Sequence, residues 1–266
     1  MAIQSKTDQE IRARHTENPK DALGLLAPLM ELSEQSSTLI LGFGGGQQSI
    51  RQEMIPYFHV CGPTSGHEPI RALIIGGWVG TESESSFLVA RLVAAIEQQL
   101  RLVTGIEVTA YPVANVEAHR AGEFLTAKQQ IEGIHLWQES ACTHVRVLER
   151  ELQRYDYDVV ILLRERLAAS DLKAEIWPGT HEQSVILQDA LERLSLHAPA
   201  FSYQVNPTQP AFERALTPLP GDAAQPAELI IGLGSTHEED GQTDLGVDIL
   251  LSILHAFRQA RLEEVL

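Results

Sequence analysis

The stretch RALIIGGWVGTESESSFLVARLVAAIEQQL, residues 71–100, decides the fold class of this chain. Its opening, RALIIGG (71–77), is a continuous apolar run closed by two glycines, the pattern of a strand buried on both faces. Its continuation, FLVARLVAAIEQQL (87–100), repeats apolar residues at helical spacing over about four turns. A doubly buried strand feeding a long helix is the unit from which parallel α/β sheets are built. The alternation extends outward from there. IEVTAYPVAN (106–115), DVVILLRE (158–165) and ELIIGLG (228–234) read as further strands of the same kind. THVRVLERELQRY (143–155), QSVILQDALERLS (183–195) and residues 243–264 read as helices, as does PKDALGLLAPLMELSEQ (19–35). TLILGFG (38–44) and EMIPYFHV (53–60), separated by GGGQQS, predict a hairpin that opens the sheet. FSYQV is a candidate strand within a proline-rich stretch at 199–226, and 116–139 read as irregular and polar. Residues 1–18 have no apolar core and are expected to form a flexible or peripheral segment.

Composition narrows the function classes. The chain has 266 residues, 44% of them hydrophobic, and a formal net charge of −16, which excludes a disordered or low-complexity protein. The acidic excess argues against a surface that tracks nucleic-acid phosphates. Cys61 and Cys142 belong to no CxxC pair, so a zinc ribbon or thioredoxin-type site is excluded; both read as buried free thiols. The N-terminus is not a signal peptide, and no apolar stretch approaches the length of a membrane span. A soluble cytoplasmic protein is expected, with no nucleic-acid or membrane partner, a small-molecule or peptide ligand, and a candidate homo-oligomeric state.

In a sheet of this type ligands bind at the carboxyl ends of the strands, which directs attention to the loops at 78–86, 113–124, 164–175 and 233–242. RALIIGGWVGTESESS with its following helix resembles the first site segment of the zinc carboxypeptidases and of the related succinylglutamate desuccinylase/aspartoacylase enzymes. The resemblance continues in order through YPVANVEAHRAG (111–122), GIHLWQ (133–138), ERELQRYDYDVVILLRE (149–165) and ELIIGLGS (228–235). It implies one zinc-carboxypeptidase-like domain over residues 1–266, with a mixed, mostly parallel sheet of about eight strands flanked by helices. It also implies specific positions. The HxxE ligands of that superfamily fall at Val79 and Glu82, and the third zinc ligand, a histidine, falls at Arg164. The catalytic glutamate falls at Gly232, and the Asn-Arg pair that grips the substrate carboxylate falls at Trp137 and Gln138.

Hydrolytic zinc needs three N or O ligands and an open position for water. Valine has no lone pair to donate, and arginine stays protonated and repels the ion. Glycine offers no base, and glutamine is a weak replacement for a bidentate guanidinium. The expected protein therefore has no catalytic residue, no metal and no cofactor. Its crevice is vestigial or takes a small ligand, with Trp78, Val79, Glu82, Asn115, His119, Arg120, Trp137, Gln138 and Arg164 as candidate lining residues. Glu82 and Arg164 are expected to pair where the ion sits in the enzymes. An alternative is an active zinc carboxypeptidase or N-acyl amino acid deacylase with ligands relocated to His119, His135 or His237; another is a scaffold or interaction protein. Other motifs have plainer readings. His119 and Arg120 suit a solvated loop, THEEDG (236–241) an acidic surface turn, and GFGGGQQS (42–49) a hairpin turn without the GK[ST] of a phosphate loop. Ser83, Ser85 and Ser86 lack the Gly-x-Ser-x-Gly elbow, and His59 and His67 have no evident partners.

Overall fold

The computed structural model describes residues 6–18, 20–44, 54–81, 83–122, 143–166, 172–177, 185, 187–189, 191–192, 201–205, 227–234 and 241–264. Helix α1 (Lys6–Glu17) is followed by a short 3-10 turn (Ala22–Leu25) and α2 (Leu26–Gln35), then by strands β1 (Leu39–Gly44), β2 (Ile55–Cys61) and β3 (Ile70–Ile75). Next come α3 (Ser83–Gln98), β4 (Ile106–Tyr111), α4 (Val116–Ala121), α5 (Thr143–Arg154) and β5 (Val159–Arg166). The chain closes with β6 (Leu172–Trp177), β7 (Phe201–Val205), β8 (Ala227–Gly234) and the long helix α6 (Gly241–Glu264).

Among the described residues the strands form one eight-stranded mixed sheet in the order β1-β2-β4-β3-β5-β8-β6-β7. Its centre, β4-β3-β5-β8, is parallel, while β1 and β2 form the expected antiparallel hairpin, Leu39 opposite Val60 and Gly44 opposite Ile55. Leu73, Ile74 and Ile75 of β3 and Ile161 and Leu163 of β5 are fully buried, as continuous apolar runs in a doubly covered sheet must be. Helix α3 is apolar around most of its circumference because it is enclosed: the sheet lies beneath it, and α1 and α6 lie against it. Gly246 of α6 sits directly on the Leu88 side chain. Helix α5 covers the opposite face, where Val147 lies against Gly44 of β1.

Two readings need correction here, and one strand went unread. Residues 6–17 are neither flexible nor peripheral, because α1 is docked on α3 with Ile11 fully buried. The docking uses charge as well as packing: Asp8 accepts from Arg91 Nε at 2.8 Å and from Arg12 Nε at 3.0 Å. Residues 116–121, expected to be irregular, form α4, closed by Gly122 in the left-handed region. LKAEIW (172–177), which alternates weakly and follows another strand closely, pairs antiparallel to β8 as β6. Of the helix expected at 183–195, only 185, 187–189 and 191–192 are described, all helical. Among the described residues no helix is long and apolar enough to cross a membrane.

Candidate functional site

Three loops meet where the parallel strands end. After β3 the chain runs through Gly76 and Gly77, and these lock onto the segment after β4: Gly76 N donates to Tyr111 O at 2.9 Å, Ala114 N to Gly76 O at 3.0 Å, and Asn115 N to Gly77 O at 3.0 Å. Gly77 is required here. Its φ is +56°, and a Cβ would lie 2.9 Å from both Pro112 O and Val113 Cα, backbone atoms that cannot swing aside. Gly77→Ala is therefore expected to lower stability by about 2 kcal/mol or more, read as a shift in the urea midpoint. An unchanged midpoint would contradict the strain argument.

Trp78 and Val79 follow and are buried, at 2% and 1% exposure. The Trp78 ring stands edge-on to the His144 ring of α5, with centroids 4.8 Å apart and planes at 75°. It packs inside the fold. Asn115 is also buried and acts locally: its Oδ1 accepts Ala118 N at 3.1 Å and caps α4. His119, on the last turn of α4, is buried rather than solvated, whereas Arg120 beside it is exposed. Among the described residues neither ring nitrogen of His119 has a hydrogen-bond partner. Burial lowers its pKa to about 4, in part offset by the nearby Gly77 backbone, so the ring is neutral at pH 7. His144 is likewise lowered to about 4 by burial.

On the other side of the crevice, Arg164 at the end of β5 is half-buried and lies in register with Gly232 of β8. The next residue, Glu165, crosses to the start of α3. Its Oε1 accepts from Glu84 N at 2.6 Å and Ser85 N at 3.3 Å.

The architecture has solved counterparts. A metallo-carboxypeptidase from Burkholderia cenocepacia superimposes with a TM-score of 0.70 at 13% identity, covering 88% of this chain and 68% of that one. The chain has the metallo-carboxypeptidase fold. A metallo-carboxypeptidase from Pseudomonas aeruginosa, solved in complex with (2-guanidinoethylmercapto)succinic acid, matches at a TM-score of 0.65 and 14% identity over 88% of this chain and 68% of that one. An aspartoacylase family protein from Mesorhizobium loti matches at 0.57 and 15% over 84% and 68%. The chain thus spans about two thirds of the length of all three. No protein-family model and no curated protein sequence matches it.

Two of the three positions at which the resemblance to zinc carboxypeptidases expects ligands, Val79 and Arg164, lie among the described residues. The expected first position, Val79, carries no donor atom and is packed in the core. The expected third position is a cation, Arg164, which lies in register with Gly232, the residue at the expected catalytic position. Among the described residues no group of three His, Cys, Asp or Glu side chains converges closely enough to hold a metal ion. Glu82, Trp137, Gln138, His135 and His237 lie outside the described residues, as does the expected Glu82–Arg164 pair.

Glu165 escaped the sequence reading. Its signal was a second charged residue at the carboxyl end of a buried strand, directly after Arg164. Two plainer readings are also corrected. His59 does have partners, Thr109 Oγ1 at 3.0 Å and Cys61 Sγ at 3.2 Å, while His67 is exposed. Cys61 is exposed instead of buried, and partial desolvation, with Glu107 opposite, raises its thiol pKa, which disfavours the nucleophilic thiolate.

Proposed function

We propose that this protein is a metal-free, non-hydrolytic protein built on the metallo-carboxypeptidase fold, with a crevice that is vestigial or adapted to a small ligand. The observation that carries the reading is the triad of positions around the strand ends: a core-packed valine at 79, an arginine at 164, and a glycine in register with it at 232. Water activation needs a Lewis acid and a base, and this set supplies neither. Arg164 places a guanidinium where the resemblance expects a metal ligand, and that group repels a metal ion.

Metal analysis of protein purified without chelator tests this. The expected result is zinc far below one atom per chain, with no rise in melting temperature on adding zinc and no release of amino acids from peptides or N-acyl amino acids. One tightly bound zinc per chain would overturn the reading.

A second reading, an active hydrolase with relocated ligands, draws support from His119 alone. A buried neutral imidazole with both nitrogens unpartnered among the described residues has the protonation state that a metal ligand needs. Under that reading the zinc would be lost on changing His119→Ala, while the fold would persist.

A further inference from the structure

We propose that Glu165 is the positioning residue of the crevice, an internal clamp that holds the loops after β3, β4 and β5 in one arrangement. The contact begins as a helix cap supplied from far away in sequence: Glu165 Oε1 accepts two first-turn amides of α3, Glu84 N at 2.6 Å and Ser85 N at 3.3 Å. Free N–H groups and the helix dipole both favour a carboxylate at that end, and a charge-assisted bond is about twice as strong as a neutral one.

The clamp does not stop at α3. Ser85, whose amide it holds, turns its Oγ back to accept Gly77 N at 3.0 Å. Gly77 O accepts Asn115 N at 3.0 Å, and Asn115 Oδ1 accepts Ala118 N at 3.1 Å. A continuous hydrogen-bonded path therefore runs from the end of β5, through α3 and the β3 loop, to the helix that carries His119. Every link except the first lies among backbone groups and short side chains whose positions are set by burial. Glu165 is the one long, half-buried side chain in the path, and beyond the β3–β5 ladder it ties the loop ends together.

The outer side of the same helical turn is held as well. The Glu84 carboxylate pairs with His15 Nε2 of α1 at 3.0 Å, and the His15 ring stacks on Phe87 at 4.0 Å. The first turn of α3 is thus gripped from inside by β5 and from outside by α1. With Val79 and Arg164 unable to share a metal, this carboxylate provides a tie between β5 and the β3–α3 segment; only this comparison rests on the metal-free reading.

Hydrogen exchange on the full chain tests the clamp, using Glu165→Ala, Glu165→Gln and Glu165→Asp. The expected result for Glu165→Ala is roughly ten-fold or faster exchange in peptides covering 83–86 and 76–79, with β4 peptides unchanged. Glu165→Gln keeps an acceptor oxygen at the same reach and should recover part of the protection, whereas the shorter Glu165→Asp should not. Wild-type exchange at 83–86 in Glu165→Ala, or in Glu165→Asp if the alanine variant does not fold, overturns the proposal. So does equal acceleration at every site, which would mark general destabilisation. Zinc content is measured on the same wild-type sample with and without chelator. Bound zinc would sink the metal-free reading and leave the clamp to be judged by the exchange data.

Discussion

Acidification from pH 7 to about pH 4 is expected to remove most of the stability of this protein, with the loss starting well above the carboxylate range. His119 and His144 are the cause. Both are buried, and burial lowers each pKa from 6.5 to about 4. Between those values the unfolded chain takes up two protons that the folded protein refuses, so stability falls as pH falls. The stabilising difference is fully present above pH 6.5 and lost as pH drops toward the folded value. Each histidine then costs about 2 kcal/mol by roughly pH 5 and about 3 kcal/mol by roughly pH 4. Together that is on the order of 6 kcal/mol, comparable with the whole stability of an ordinary domain, about 5–15 kcal/mol. Urea denaturation at a series of pH values reads the effect. Between pH 6.5 and 5 ordinary carboxylates, with pKa values near 4, contribute little, so the slope there belongs to histidine. His119→Gln and His144→Leu should each flatten it by about half, whatever they do to stability at neutral pH. A urea midpoint that is flat from pH 7 to 5 would show that these rings are hydrated or paired.

The same two histidines illustrate what was legible in the sequence. The parallel core was legible because burial on both faces leaves only one kind of residue acceptable: β3, β4, β5 and β8 are long apolar runs at the positions expected. Those runs also put Arg164 and Gly232 near the carboxyl ends of neighbouring strands, where the two lie in register. What escaped was held by polar groups acting across sequence distance. Helix α1 has a single fully buried aliphatic residue, Ile11, and docks partly through Asp8, which hydrophobic periodicity cannot register. His119 looked like a loop residue because α4 is only six residues long and has charged and polar side chains at 117, 119 and 120. Glu165 was invisible for a different reason. A capping box announces itself within four residues, whereas this cap comes from 81 positions away, and only the parallel pairing of β3 with β5 brings it to α3.

Replacing Asp8 by alanine is expected to cost about 3–5 kcal/mol, far more than any exposed residue of α1. Asp8 bridges two guanidinium groups, Arg91 Nε at 2.8 Å and Arg12 Nε at 3.0 Å, with side-chain exposures of 10%, 7% and 13% for Asp8, Arg91 and Arg12. A surface pair of this kind contributes at most about 1 kcal/mol, because water competes for both partners. Here water is nearly excluded, and removing the carboxylate takes an acidic partner from the buried Arg91 charge, which lies 5.6 Å from the centroid of the Phe87 ring. The ring face compensates only in part. Two comparisons separate a buried ion pair from simple loss of packing. Lys6→Ala removes an exposed i,i+4 pair with Glu10 on the same helix and should change stability by less than about 0.5 kcal/mol. Asp8→Ala combined with Arg91→Met should be more stable than Asp8→Ala alone, since an apolar side chain in that position carries no charge to strand. Additive losses in the double variant would show that the two groups do not interact. Because α1 also carries His15 onto the first turn of α3, loosening it should raise exchange at 83–86 as well, from the side opposite Glu165. The crevice would then be held from one side only, and exchange at 83–86 in Asp8→Ala with Glu165→Ala should exceed that in either single variant.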